Sequence, residues 1–254
     1  MLRRHDQLVL GRSRVPARAR RWPGQDHVAL LVLLDPLAIA APRHFDEWLM
    51  QLAPQGITTV RTGALSSRQA AQAEAAGFHC IQELALLEAR APLESRPLDG
   101  RQLERRTSAC RHGRAGESEL TLLADIDCAA FGEPWRLDAA MLADVCDATP
   151  AHRARVVRDG DHLLTRTDPV GFLITGRAGR TGYLQRLAVH PAQQRRGVAA
   201  ALVADSLVWL RRWRCDRVLV NTHVDNDAAL NLYRGFGFVD LPERLRVFEG
   251  AVAT

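Results

Sequence analysis

The stretch that decides the fold runs from Tyr183 to Phe238. Its first part, residues 183–200, reads YLQRLAVHPAQQRRGVAA, an apolar strand pattern that runs into a basic loop with one glycine. Its last part, residues 217–238, reads RVLVNTHVDNDAALNLYRGFGF, an alternating strand pattern followed by a short helix pattern. Apolar residues every three to four positions between them predict a helix with one buried face. This order predicts two parallel strands joined by a right-handed helical crossover.

The loop before that helix has the features of an anion site. The first backbone N–H groups of a helix have no intrahelical acceptor, and the helix dipole makes that end positive. Gly197 lets the backbone approach a ligand without a side chain in the way, and Arg195 and Arg196 add positive charge. We therefore expect a pyrophosphate to bind here. A solvated loop before a core helix would carry similar residues, so the loop needs support from residues downstream.

The loop and the downstream residues together resemble the GNAT acyltransferase superfamily. Residues 194–199, QRRGVA, match its Q/R-x-x-G-x-G/A acyl-CoA loop with alanine in place of the last glycine, and residues 226–238 match its second motif. The resemblance covers about residues 101–250 and implies an N-acetyltransferase with acetyl-CoA as co-substrate, a primary amine as acceptor and no metal. It implies that the pantetheine arm of acetyl-CoA contacts Leu187, Ala188 and Val189, and that Asn226 also contacts the cofactor. The pyrophosphate is expected to bind at Gln194, Arg195, Arg196, Gly197, Val198 and Ala199.

Tyr233 is the catalytic residue that the resemblance implies. An amine attacks the thioester directly, and a tyrosine of ordinary pKa ~10 is protonated at neutral pH and can protonate the departing thiolate. A packed aromatic residue on an apolar helix is the alternative interpretation of Tyr233. The general base stays open, because Tyr183 occupies the position where many family members carry a glutamate. The other candidates are Glu133, His223, Asp225 or a base acting through water.

The N-terminal half carries a degenerate copy of the same order of elements. Residues 57–62 align with residues 217–222 at an offset of 217 − 57 = 160, and the same offset places Gly77-Phe78 on Gly237-Phe238. Between its strand and the helix that follows, the first copy is expected to be five residues shorter than the C-terminal copy. These missing residues correspond to the phosphate loop. Ser66 and Ala73 stand where the C-terminal copy has Asn226 and Tyr233. We therefore expect the first copy to lack an acyl-CoA site.

The expected fold class is α/β (α+β), with tandem GNAT-like folds. Each copy should hold a mixed, mostly antiparallel sheet with one parallel strand–helix–strand pair and flanking helices. Residues 91–100 contain two prolines and one glycine, which predicts a linker. The expected division is a degenerate copy in residues 1–90 and a catalytic copy in residues 101–254.

Composition narrows the class of protein and its compartment. The 254 residues include 34 basic ones, all arginine, and the net charge is +5. The arginines are spread along the chain, so base composition explains them and we do not expect nucleic acid as a partner. Five cysteines without a close pair argue against a disulfide framework or a zinc site and favour the cytoplasm. No apolar run reaches the ~18 residues of a membrane-spanning helix, so we expect no membrane partner.

The acceptor amine has two candidates. Residues 129–135, AAFGEPW, are similar to the first-helix region of ribosomal-protein N-terminal acetyltransferases, which implies a peptide N-terminus. The tandem layout resembles that of mycothiol synthase, which implies a small amine. A rival from another class is a module that senses acyl-CoA, or binds nucleic acid, without turnover. Retention of Tyr233 argues against that rival, and the missing glutamate argues for it.

Overall fold

The computed structural model describes residues 7–11, 15–35, 37–91, 107–109, 117–158 and 169–252. The chain divides into two compact units. Unit 1 holds Met1–Leu86, Thr222–Asp225 and Leu241–Thr254, and unit 2 holds Leu87–Asn221 and Asn226–Asp240. The predicted linker at 91–100 lies outside the described residues except for Ala91. The functional division into residues 1–90 and 101–254 stays a prediction.

Unit 1 is built on a mixed sheet with the strand order β1-β2-β3-β4-β11-β5. Strands β3 and β4 are parallel, and α1 connects them, as the N-terminal copy predicts. Its elements are β1 (Leu8–Leu10), β2 (Ala17–Trp22), β3 (Gln25–Leu33), α1 (Pro42–Leu52), β4 (Thr59–Thr62), α2 (Ser67–Ala75), β5 (His79–Arg90) and β11 (Val239–Ala251), of which β5 and β11 also hold residues of unit 2.

The core of unit 1 centres on Trp48, which is fully buried on α1. Phe45 packs edge-on against both Trp48 and Phe78, with ring centroids 5.1 and 5.2 Å apart. Phe248 of β11 is also fully buried in this cluster, and its backbone N–H donates to Thr62 Oγ1 at 3.0 Å. The C-terminal strand is therefore a core element of unit 1.

The strands of unit 2 follow the order β10-β9-β8-β7-β6. Strands β9 and β10 are parallel and are joined by a helix, while the other neighbouring pairs are antiparallel. Its elements are β6 (Thr107–Ala109), α3 (Glu117–Phe131), α4 (Ala139–Asp147), β7 (Ala151–Arg158), β8 (Pro169–Ala178), β9 (Thr181–Val189), α5 (Val198–Arg212), β10 (Arg217–His223, its last residues in unit 1) and α6 (Asp227–Gly235).

The helices of unit 2 pack on both faces of its sheet. On one face, residues of α3 and α4 form an apolar cluster with Ala154, Val156 and Phe172. Alternate residues of β7 point to the other face, where Arg153 and Arg155 meet α5. Each unit thus has one parallel strand–helix–strand pair in a mostly antiparallel sheet, which confirms the predicted fold class.

The internal repeat is visible in matching helix bounds. Helix α2 (Ser67–Ala75) and helix α6 (Asp227–Gly235) have nine residues each, and their starts differ by 227 − 67 = 160 positions. Each helix follows the strand that closes the parallel pair of its unit. The order β3-α1-β4-α2-β5 therefore corresponds to β9-α5-β10-α6-β11. The prediction of a loop five residues shorter before the first helix is wrong, because residues 34–41 and residues 190–197 are segments of equal length. The first copy is instead shorter in its helix, since α1 has 11 residues and α5 has 15.

Candidate functional site

Strand β9 separates from β10 at the point where the site begins. Parallel pairing with β10 extends from Thr181↔Arg217 to Leu184↔Val220. The register with β8 then shifts, so that Gln185 is an extra residue and β9 contains a bulge. Beyond the bulge, Leu187–Val189 pair with β8 and, within the described chain, not with β10. Their backbone groups on the β10 side are therefore available to a ligand, as predicted for the pantetheine arm.

The loop after β9 turns sharply into α5. Arg195 and Gly197 both adopt the left-handed conformation, with φ of 61° and 81°. A Cβ on Gly197 would meet open space, so the backbone angle and not crowding requires glycine at this position. Gly197 is the N-cap of α5, whose first turn holds no acidic residue and no side-chain cap. An anion can therefore take the place of the missing cap.

Two glycines let α5 lie close to the sheet. A Cβ on Gly171 of β8 would be 2.9 Å from Val198 Cγ1 and 3.1 Å from the carbonyl oxygen of Ala188. A Cβ on Gly182 of β9 would be 2.6 Å from Leu210. Both distances are shorter than van der Waals contact, so the position of α5 depends on these glycines.

A buried polar cluster fixes α5 against β7. Asp205 accepts from Arg155 Nε and Nη2, both at 2.8 Å, and it also binds Arg153. Burial lowers the pKa of Arg153 to about 10, and the charge of Asp205 opposes that shift. The hydroxyls of Thr175 and Ser206 are bonded at 2.8 Å in the same interface. Sequence reasoning missed this cluster, because a single sequence carries no signal that pairs Asp205 with β7.

A cavity of about 540 Å³ brings most of the predicted cofactor residues together. Its walls are the end of α3, the open part of β9, the loop, and the starts of α5 and α6. It is lined by Ala130, Phe131, Leu187, Ala188, Val189, Gln193, Gln194, Arg195, Gly197, Val198, Ala199, Ala200, Asn226, Ala228, Ala229 and Leu232.

Asn226 has a structural role as well as a place in this wall. It is the N-cap of α6, and its Oδ1 accepts the backbone N–H of Ala229 at 3.1 Å. Gln194, another predicted cofactor residue, donates from Nε2 to the carbonyl of Val189 at 3.3 Å and so closes the loop on itself. Arg196 is not among the residues that line the cavity in the described chain.

Tyr233 lies on α6 one turn after Ala229, which lines the cavity. The phenol itself is buried, with 5% of the residue exposed, and is not among the cavity-lining groups of the described chain. Its ring lies 5.8 Å from that of Phe238. Burial raises the pKa of Tyr233 well above its ordinary value, so this tyrosine stays protonated. Its catalytic role stays a prediction.

The four side chains considered as the general base do not line the cavity in the described chain. Tyr183 and Glu133 are absent from the lining of the cavity as far as the structure describes the chain. Glu133 forms an ion pair with Arg136 at 2.6 Å. His223 and Asp225 fall in unit 1, where His223 Nδ1 lies 3.6 Å from Asp225 Oδ2 and accepts the Asp225 N–H at 3.1 Å.

The end of α3 forms one wall of the cavity. Asp127, which is fully buried, receives Arg186 Nε at 2.6 Å and Nη2 at 2.7 Å. The guanidinium carbon of Arg186 lies 3.6 Å from the centre of the Phe131 ring. The AAFGEPW segment drew attention to Phe131, but no local pattern indicates the pairing of Asp127 with Arg186, because these two residues lie 59 positions apart.

The described residues were compared with the requirements of a metal site and of a membrane-spanning helix. No group of three or more histidine, cysteine, aspartate or glutamate side chains is placed to hold a metal ion among the described residues. In the same part of the chain, no helix is long and apolar enough to cross a membrane.

Comparison with known proteins finds one family that matches part of the chain. The model of the acetyltransferase (GNAT) family matches residues 121–238, which include the loop and α6. N-alpha-acetyltransferase 30 of Saccharomyces cerevisiae is 37% identical over 67 residues, which is 26% of this chain and 38% of the yeast protein. The match therefore spans well under half of that relative.

Two solved structures share the fold over nearly the whole chain. A tandem GNAT protein from the clavulanic acid biosynthesis pathway is 11% identical, covers 100% of this chain and 86% of its own, and has a TM-score of 0.63. A GCN5-related N-acetyltransferase from Kribbella flavida is 14% identical, with coverages of 96% and 88% and a TM-score of 0.59. The tandem architecture is thus confirmed, and residues 121–238 are a domain of the acetyltransferase (GNAT) family.

Proposed function

We propose that this chain is an acyl-CoA-dependent N-acyltransferase that transfers acetyl from acetyl-CoA to a primary amine by direct attack. The observation that carries the proposal is the uncapped start of α5 beside the open edge of β9, both in one cavity. The family match and the yeast relative named N-alpha-acetyltransferase 30 support acetyl transfer.

The residues of the cavity fit the parts of acetyl-CoA. The backbone N–H groups of Val198 and Ala199 and the charge of Arg195 suit a pyrophosphate. The open backbone of Leu187–Val189 suits the amides of a pantetheine arm. When bound, acetyl-CoA supplies the acetyl group as an activated thioester. Backbone N–H groups of β9 would polarise the thioester carbonyl, and the carbonyls and amides of β9 would orient the arm.

Tyr233 is the residue that we assign to protonation of the thiolate. A phenol is protonated at neutral pH, and Tyr233 lies one turn after Ala229 on a helix that borders the cavity. Tyr183, Glu133, His223, Asp225 and water stay the candidates for the general base, and none of these four side chains lines the cavity in the described chain.

We assign the acceptor to a protein N-terminus, with a small amine as the alternative. The short match to N-alpha-acetyltransferase 30 supports the first choice. We also propose a cytoplasmic location, because Cys80, Cys128, Cys146 and Cys215 are free thiols.

The N-terminal copy is proposed as a scaffold without an acyl-CoA site. Helix α1 begins at Pro42, which has no N–H, and the Ala41 N–H donates to His44 Nδ1 at 3.0 Å. The amide before the helix is thus bonded within the chain. Ala73, which corresponds to Tyr233, is fully buried and carries no proton donor.

The test is calorimetry with CoA and acetyl-CoA, followed by thiol release with a panel of peptides and amines. Gly197→Glu should abolish measurable CoA binding, because a carboxylate at the start of α5 repels the phosphates. Gly179→Glu is the matched control, since Gly179 also has positive φ and open space around its Cβ, but lies at the β8–β9 turn.

Unchanged CoA affinity in Gly197→Glu would refute the assigned loop. Binding of acetyl-CoA by the unaltered protein, with neither hydrolysis nor transfer to any amine, would favour the acyl-CoA-sensing module instead.

A further inference from the structure

We infer that Phe131, held in place by Arg186, limits the length of the acyl group that this protein accepts. The inference rests on the proposed function, since it concerns the acyl end of the same cavity. It assigns Phe131 as a specificity-determining residue and Arg186 as a positioning residue.

The first step is that the end of α3 is fixed to β9. The carboxylate of Asp127 is buried and forms a two-bond fork with Arg186. Arg186 Nη2 also donates to the carbonyl of Trp135 at 2.8 Å, and Asp127 Oδ1 accepts the N–H of Leu137 at 2.7 Å. The fork therefore ties β9 both to α3 and to the segment after it, in a geometry that only arginine provides.

The second step is that this fork orients Phe131. Phe131 lies four residues after Asp127, on the same face of α3 and one turn further along. Its ring faces the Arg186 guanidinium at 3.6 Å, within the range of a cation–π contact. Although 38% of the residue is exposed, the ring has a defined neighbour, and it lines the cavity.

The third step places Phe131 at the acyl end of the cavity. Val189 adjoins the phosphate loop, and Arg186 precedes it by three residues of β9, or ~10 Å of extended strand. A ligand with its pyrophosphate at Gly197 and its arm along Leu187–Val189 therefore points its other end toward Arg186 and Phe131. A rigid ring at that end leaves room for acetyl and obstructs a longer chain.

The experiment measures selectivity between acetyl-CoA and hexanoyl-CoA. Both ligands are titrated by calorimetry, and background thioester hydrolysis gives kcat/KM without a known acceptor. Phe131→Ala should raise the hexanoyl-to-acetyl ratio about tenfold or more, the scale on which apolar pockets discriminate methylene groups. Phe131→Leu, which keeps most of the bulk, should retain the original preference.

Leu122→Ala is the matched control, because Leu122 lies on the same helix, is also 38% exposed and does not line the cavity. Arg186→Lys keeps a positive charge for Asp127 but loses the fork and the planar stack. It should raise the same ratio while CoA affinity stays unchanged, a result that simple loss of stability does not produce.

An unaltered ratio in Phe131→Ala, in a protein that still binds CoA, would overturn this inference and leave the proposed function intact. Failure of the unaltered protein to bind any acyl-CoA would overturn both.

Discussion

Replacing Gly171 with alanine should displace the start of α5 and weaken CoA binding. The new Cβ would be 2.9 Å from Val198 Cγ1, 3.1 Å from the carbonyl oxygen of Ala188 and 3.3 Å from Val189 Cγ2. Carbon atoms prefer separations of ~3.5 Å or more, so Val198 has to move by about 0.6 Å. Val198 is the first residue of α5, and Ala188 and Val189 belong to the open part of β9.

Two magnitudes follow from this clash. Overpacking in a core costs ~1–3 kcal/mol, and ~1 kcal/mol shifts the melting temperature by ~2–4 °C in a chain of this size. Hydrogen bonds to charged groups contribute ~1.5–3 kcal/mol each. Misplacing one amide at the pyrophosphate should therefore weaken CoA binding about tenfold to a hundredfold.

Calorimetry with CoA measures the loss of affinity, and a thermal melt measures the loss of stability. Gly63→Ala is the control, because its Cβ would make only ordinary contacts, the nearest being Val32 Cγ2 at 3.8 Å. Adding Val198→Ala to Gly171→Ala removes the closest clash and should restore part of the affinity. If Gly171→Ala binds CoA as tightly as the unaltered protein, the start of α5 does not hold the pyrophosphate.

Two further predictions concern Tyr233 and the N-terminal residues. Tyr233→Phe should lower kcat for thioester turnover by ~10²–10⁴-fold with CoA affinity preserved, because only the transferred proton is lost, and normal turnover would remove Tyr233 from the mechanism. A chain of residues 101–254 should melt at a lower temperature and aggregate, because Phe248 loses the core of Phe45, Trp48 and Phe78; a soluble and equally stable truncated chain would contradict the scaffold role.

The sequence predicted the elements whose order and chemistry are local. The glycine loop, the helix that follows it and the short helix at Asp227–Gly235 each carry a pattern within a few residues, and the structure has all of them. The repeat could be recognised in the sequence because the two copies align at an offset of 160 residues. Helices α2 and α6 start at positions that differ by the same number. Nine of the residues predicted to bind the cofactor line one cavity, because they lie at the end of β9, in the loop and first turn of α5, and at the start of α6.

Contacts between distant segments could not be predicted in the same way. The fork between Asp127 and Arg186 joins a helix to a strand 59 residues away, and neither residue has a local pattern that names its partner. The pairing of β11 with β4 is another case, since the register Glu249↔Arg61 depends on which edge is available in the folded sheet. Burial of Tyr233 likewise follows from packing and not from its motif.

The place of the C-terminal strand β11 in the core of unit 1 also determines when that core can form during synthesis. Strand β4 pairs with residues 249–251 of β11, and Phe248 completes the cluster around Trp48. These partners leave the ribosome about 190 residues after β4, because Arg61 and Glu249 are 188 positions apart. Domains usually fold from the N-terminus as the chain emerges. Here the first unit to be translated cannot close its core until residues 248–251 have been made, so its apolar face needs protection while most of the chain is synthesised.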